Sequence, residues 1–119
     1  MAGGCTDAGI HSTLNIRLRR FASLLLASLD EALIHIDTLN EAFRSEDAHR
    51  AFTSQEGLQR AWSNALVAIQ VLEEVTGCTQ IHARNALAHS HHRGHVPLGL
   101  AWSLISRLPN EHYIQRVEI

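Results

Sequence analysis

The chain has no lysine: all ten of its basic residues are arginine, set against twelve acidic ones. The net charge of -2 excludes a global attraction for nucleic acid. Two prolines and seven glycines are too few for a fibrous or linker-rich chain, and 45% apolar with 18% charged residues is the balance of a water-soluble globular protein. Long apolar runs are missing as well. The longest, Phe21 to Leu29, is interrupted by Ser23 and Ser28, and falls far short of the roughly 20 residues that a membrane-spanning helix needs. No apolar stretch followed by a small-residue cleavage site lies in the first 20 residues, so no secretory signal and a cytoplasmic location are expected. Cysteine is scarce: Cys5 sits in a Gly-rich start and Cys78 follows a helix end. They form no Cys-x-x-Cys motif, and both are expected to be free thiols.

What is present is charge arranged by position. No Asp or Glu occurs between Glu74 and Glu111, an interval that carries Arg84, Arg93 and Arg107 with His82, His89, His91, His92 and His95. An electropositive surface on a mildly acidic protein is the expectation. The absence of lysine has a bland source in codon bias, although arginine also grips phosphate with two parallel donors.

At 119 residues the chain is expected to be one domain over 1–119, with 1–12 as a flexible tail. Its apolar positions advance in helical steps. Leu14, Leu18, Phe21, Leu25, Leu29, Ala32, Ile36, Leu39 and Phe43 fit one long helix, capped by Ser12 or Thr13 and ended by the polar run Arg44 to Arg50. Thr53-Ser54-Gln55-Glu56 has the form of a capping box for a second helix through Leu58, Trp62, Ala65, Leu66, Ile69, Leu72 and Val75, with Gly77 as its stop. Thr79 then caps a short third helix to about His91, His92-Arg93-Gly94-His95 supplies a loop, and Pro97 opens a fourth helix that Pro109 ends. No sustained period-two alternation suggests strands. The expected fold class is all-α, an antiparallel four-helix bundle.

The segment with chemical content is Arg84-Asn85-x3-His89. An Arg-x4-His pair alone arises by chance roughly 0.75 times in such a composition, and requiring Asn after the Arg lowers this to roughly 0.03. On a helix Asn85 and His89 share a face, so the amide can orient the imidazole, whereas Arg84 points about 140° away from His89. Imidazole accepts and donates protons near neutral pH, and arginine offers planar charged donors to phosphate oxygens.

With this motif, a long first helix, a second helix after a polar connection and a last helix bearing Trp102 and Leu108-Pro109, the chain resembles the HEPN superfamily of helical ribonucleases. It is most similar in layout to HepT-like toxins paired with a minimal nucleotidyltransferase antitoxin. The resemblance implies a homodimer in which two motifs face each other across a two-fold axis, which would bring Arg84 and His89 of different copies together. It further implies RNA cleavage without metal or other cofactor, the ribose 2′-OH attacking the adjacent phosphate, with Arg84, Asn85 and His89 catalytic. His91, His92 and Arg93 are expected to contact RNA. One departure is clear: where these toxins commonly carry the tyrosine that receives AMP from the antitoxin, two residues after the motif histidine, this chain has His91. Its only tyrosine, Tyr113, lies outside the motif.

Other readings stand beside this one. A polar cluster is ordinary on a solvated helix face. The His89, His91, His92 and His95 group lacks an acidic or cysteine ligand nearby, so no metal site is expected. Arg17, Arg19 and Arg20 are either phosphate contacts or the wet face of a helix start. Trp62 and Trp102 are expected in core or dimer packing rather than base stacking. The alternative function is a noncatalytic helical subunit that binds a nucleotidyltransferase and helps present its substrate.

Overall fold

The computed structural model describes residues 11–107 as three helices, α1 (His11–Arg44), α2 (Ala48–Thr76) and α3 (Ile81–Ile105), with no strand among them. The all-α expectation holds. Among the described residues there are three helices where four were expected, because the third and fourth predicted helices are one.

At 34 residues, α1 is about 50 Å long. It begins at His11 rather than after a cap at Ser12 or Thr13, so two residues assigned to the flexible tail are helical; residues 1–10 and the Leu108-Pro109 step lie outside the described residues. Every apolar position predicted for α1 is buried or half-buried. Its end was not legible. Glu46 adopts a left-handed φ of 54°, Asp47 N–H donates to Ala42 O at 2.8 Å and Glu46 N–H to Phe43 O at 3.1 Å. This is a Schellman ending with glutamate where glycine is usual.

Asp47 then caps α2 at once, its Oδ1 accepting the Arg50 N–H at 3.0 Å. The connection is therefore three residues, and α2 starts ahead of the predicted capping box. Within α2, Thr53 donates instead to His49 O at 3.1 Å and Ser54 is buried. Gly77 stops the helix as expected, at φ 71° with its N–H on Glu73 O at 2.8 Å. A Cβ at Gly77 would meet nothing within 4 Å, so Gly77→Ala isolates the backbone cost of a left-handed residue. It should lose about 1 kcal/mol, read as a lowered urea midpoint at unchanged m-value.

The N-cap of α3 is Gln80, without a side-chain cap bond, in place of Thr79. The helix then runs unbroken through His92-Arg93-Gly94-His95 and Pro97, where a loop was expected. Proline inside a helix forfeits one backbone bond and costs about 3 kcal/mol. Packing offsets that here: Ser90, Gly94, Pro97, Ala101, Leu104 and Ile105 are all buried on one face.

The chain runs up, down, up. Ala101, Leu104 and Ile105 of α3 cluster with Ala32, Ile36, Leu39 and Ala42 of α1 and with Ala51, Leu58, Ala61 and Trp62 of α2. At the other end Leu25, Ala65, Ala68, Ile69 and Leu72 pack with Leu18, Phe21, Ala83 and Leu87. So α3 lies parallel to α1 and antiparallel to α2. Full burial of side chains such as Ile36, Leu39, Leu58, Ile69 and Ile105 stabilises by about 1.5–3 kcal/mol each.

Cys78 is disulfide-bonded, not the free thiol expected. The antiparallel α1–α2 hairpin gives the physical reason. The chain enters α1 at the end of the bundle where the α2–α3 turn carries Cys78, and Cys5 precedes that entry in sequence, outside the described residues. Among the described residues no helix is long and apolar enough to cross a membrane.

Candidate nucleic-acid site on the third helix

One surface of α3 is buried, and the motif residues are distributed around the rest. Asn85, His89 and His92 are exposed on the side away from the core. His89 lines a groove of about 330 Å³ against α1, with Leu29, Leu33, Ala86, Ser90 and Arg93. Arg84 lies across the helix, in a second groove of about 480 Å³ against α2, which it shares with Leu66, Ala88 and His91 among others. The angular separation read from the sequence is thus realised as two grooves flanking one helix. Within one protomer Arg84 and His89 do not meet. No hydrogen bond joins Asn85 to His89 among the described residues; both side chains stand free on the surface.

Arg84 is engaged within the chain. Its Nε and Nη2 donate to the two carboxylate oxygens of Glu73, each at 2.6 Å, and Glu73 Oε2 also accepts the Gln80 N–H at 3.0 Å. The Arg84 hydrogen bond and the Gln80 backbone N–H hold the Glu73 carboxyl at about 2, and the same pair raises Arg84. The pair is therefore ionised throughout the pH range in which nucleic-acid binding is measured. Glu73 has no counterpart in the predicted site. The signal for it was geometric: Gly77 stops α2 one turn after Glu73, and α3 begins one turn before Arg84, so the hairpin sets the two side chains opposite each other.

The other two arginines of the acid-free interval each stand near one carboxylate oxygen, beyond hydrogen-bond distance and exposed. Arg93 Nη2 stands 3.9 Å from Asp37 Oδ1 of α1, and Arg107 Nη1 stands 3.8 Å from Glu46 Oε1 in the α1–α2 connection. The interval is acid-free along the chain, but its three arginines each face an acid from elsewhere in the fold. The basic groups that make no ion pair among the described residues include Arg17, Arg19 and Arg20 near the start of α1, exposed at the same end of the bundle as Arg84.

His91 and Trp62 meet in the second groove. The His91 ring lies 4.0 Å from the Trp62 ring, tilted by 31°, and Trp62 Nε1–H donates to Ser90 Oγ at 2.9 Å. Trp62 is core, as expected. Trp102 is not: it is 53% exposed, on the same side of α3 as Arg84. Among the described residues no group of three or more His, Cys, Asp and Glu side chains is arranged to hold a metal ion.

No protein-family model, curated protein or solved structure matches this chain.

Proposed function

We propose that this protein is a HEPN-type endoribonuclease, acting as a homodimer and as the toxin of a pair whose antitoxin has a nucleotidyltransferase fold. The observation that carries the reading is the exposure of Asn85 and His89 one turn apart on the outer side of α3, a helix with no acidic residue, with Arg84 on its flank. In the reaction His89 takes the proton of a ribose 2′-OH. The 2′-oxygen attacks the adjacent phosphorus, a 2′,3′-cyclic phosphate forms as the bond to the 5′-oxygen breaks, and the departing 5′-oxygen takes up a proton from the imidazolium to become a 5′-hydroxyl end. Asn85 orients the imidazole, and Arg84 of the second copy stabilises the negative charge that grows on the phosphate oxygens. His91, His92 and Arg93 contact the flanking RNA. Exposed Ile81 and Val96 on either side of the motif along α3, and Trp102 nearer the end of the helix, supply apolar surface for the second copy.

The test is incubation of the purified protein with total tRNA and a defined single-stranded RNA in excess EDTA. Cleavage leaving 5′-hydroxyl ends is the expected result. Intact RNA at concentrations where a dimer is demonstrated would favour the second reading, a noncatalytic subunit that binds a nucleotidyltransferase. The Glu73–Arg84 pair is the specific observation on that side, since an arginine already bound to a carboxylate is available to hold a helical hairpin together.

A further inference from the structure

The carboxylate of Glu73 presents two oxygens to Arg84 in the parallel, two-point arrangement that a phosphate presents to a guanidinium. It does so at the surface, not in the core: the Arg84 side chain is 44% exposed and that of Glu73 is 20% exposed. From Arg84 a groove continues past Leu66 and Ala88 to the His91 ring on Trp62, and among the described residues no acidic side chain lines it, so Glu73 meets it only through Arg84. From this geometry we infer that Glu73 is an internal competitor for Arg84, a carboxylate occupying the place where an RNA phosphate binds, and that RNA engages this groove by displacing it. The inference rests on the ribonuclease reading and adds its regulation: Arg84 is withheld until a phosphate exchanges for Glu73.

Exchange of one anion for another on a surface guanidinium is feasible because solvent reaches both partners. A carboxylate carries one negative charge spread over two oxygens. A phosphodiester carries the same charge on two similarly spaced oxygens, and arrives with neighbouring phosphates that Arg17, Arg19 and Arg20 at this end of the bundle can meet. Glu73 is thus a positioning residue. It sets whether Arg84 is available, without touching RNA.

The experiment compares Glu73→Gln with Glu74→Gln, in the wild-type chain and with Arg84→Ala, using a short fluorescent single-stranded RNA titrated from low to high salt. Both substitutions remove one negative charge at adjacent positions. Gln at 73 keeps an acceptor for the Gln80 N–H. Only Glu73 faces Arg84, so Glu73→Gln should tighten binding about fivefold near 0.1 M salt and steepen the slope of log K against log salt by about 0.7, the effect of one added phosphate contact. Glu74→Gln should leave the slope unchanged, and Arg84→Ala should erase the gain from Glu73→Gln. Glu73→Asp, which withdraws the carboxylate without changing the charge, should show part of the gain. Circular dichroism of each variant confirms that the helices persist. Equal affinities and slopes for the two glutamine variants, or a gain that survives Arg84→Ala, would overturn the competitor role while leaving the ribonuclease reading in place. Failure of every variant to bind RNA would overturn both.

Discussion

His89→Ala should lower the rate of RNA cleavage by about 10²–10⁴-fold, the usual contribution of a positioned general acid or base, while the melting curve followed by circular dichroism stays in place. The second half of the expectation comes from the surface position of the side chain. His89 is exposed, makes no hydrogen bond or ion pair among the described residues, and borders the α1 groove without belonging to the buried face of Ser90, Gly94 and Ala101, which carries the packing. Surface substitutions of that kind change stability by less than about 0.5 kcal/mol, and alanine is the better helix former. A loss of activity can then be assigned to chemistry. Arg84→Ala is the less clean companion, because it also removes the anchor that ties α3 to Glu73 at the hairpin. Cleavage by the His89→Ala dimer at the wild-type rate would remove His89 from the reaction, and with it the functional assignment. The same substitution separates the two readings, since a subunit that only binds a nucleotidyltransferase should not need the imidazole.

The helices themselves were written plainly in the sequence, because a buried stripe at steps of three and four is a one-dimensional signal. It placed Leu25, Ala32, Ile36 and Leu39 in the core of α1, and Leu58, Trp62, Ala65, Ile69 and Leu72 in that of α2. Breaks between helices were read less well, for two opposite reasons. Glu46 ends α1 in a conformation that local preference assigns to glycine, so its stop carried no punctuation. Gly94 and Pro97 punctuate strongly, yet the helix continues. Gly94 is needed for its small size, not its backbone freedom, and the packed face formed by Pro97, Ala101, Leu104 and Ile105 outweighs local propensity.

Electrostatics was the least legible level. An acid-free run from residue 75 to 110 suggested a free positive surface, but ion pairs are made between elements, and Glu73, Asp37 and Glu46 reach Arg84, Arg93 and Arg107 only once the hairpins form. The angular split between Arg84 and His89, by contrast, follows from helix geometry alone. It was visible in the sequence and became two separate grooves in the fold.

Trp62→Ala should cost about 3–5 kcal/mol and lower the melting temperature by upwards of about 10 °C, the largest stability effect expected of a single truncation here. The indole links all three helices. It belongs to the core cluster that contains Ile36 and Leu39 of α1, donates from Nε1 to the buried Ser90 Oγ of α3 at 2.9 Å, and supports the His91 ring at 4.0 Å. Its far edge determines residue 94. A Cβ on Gly94 would stand 2.9 Å from Trp62 Cζ2 and 3.3 Å from Ile36 Cγ1, and the indole, a rigid ring in a packed core, has little room to retreat. Truncation therefore loses apolar burial, opens a cavity and leaves the Ser90 hydroxyl without its indole donor. Trp62→Phe divides these contributions: it keeps an aromatic ring, forfeits the hydrogen bond and fills less space, and should fall between wild type and Trp62→Ala in chemical denaturation. Gly94→Ala closes the cycle. With Trp62 present it should destabilise through the collision. In the Trp62→Ala chain the wall is gone, the helix-propensity gain of about 1 kcal/mol for alanine over glycine is realised, and the substitution should become neutral or stabilising. Additive effects of the two changes would show that α3 is not held by the indole, and that its passage through Gly94 and Pro97 as one helix depends on contacts elsewhere on its buried face.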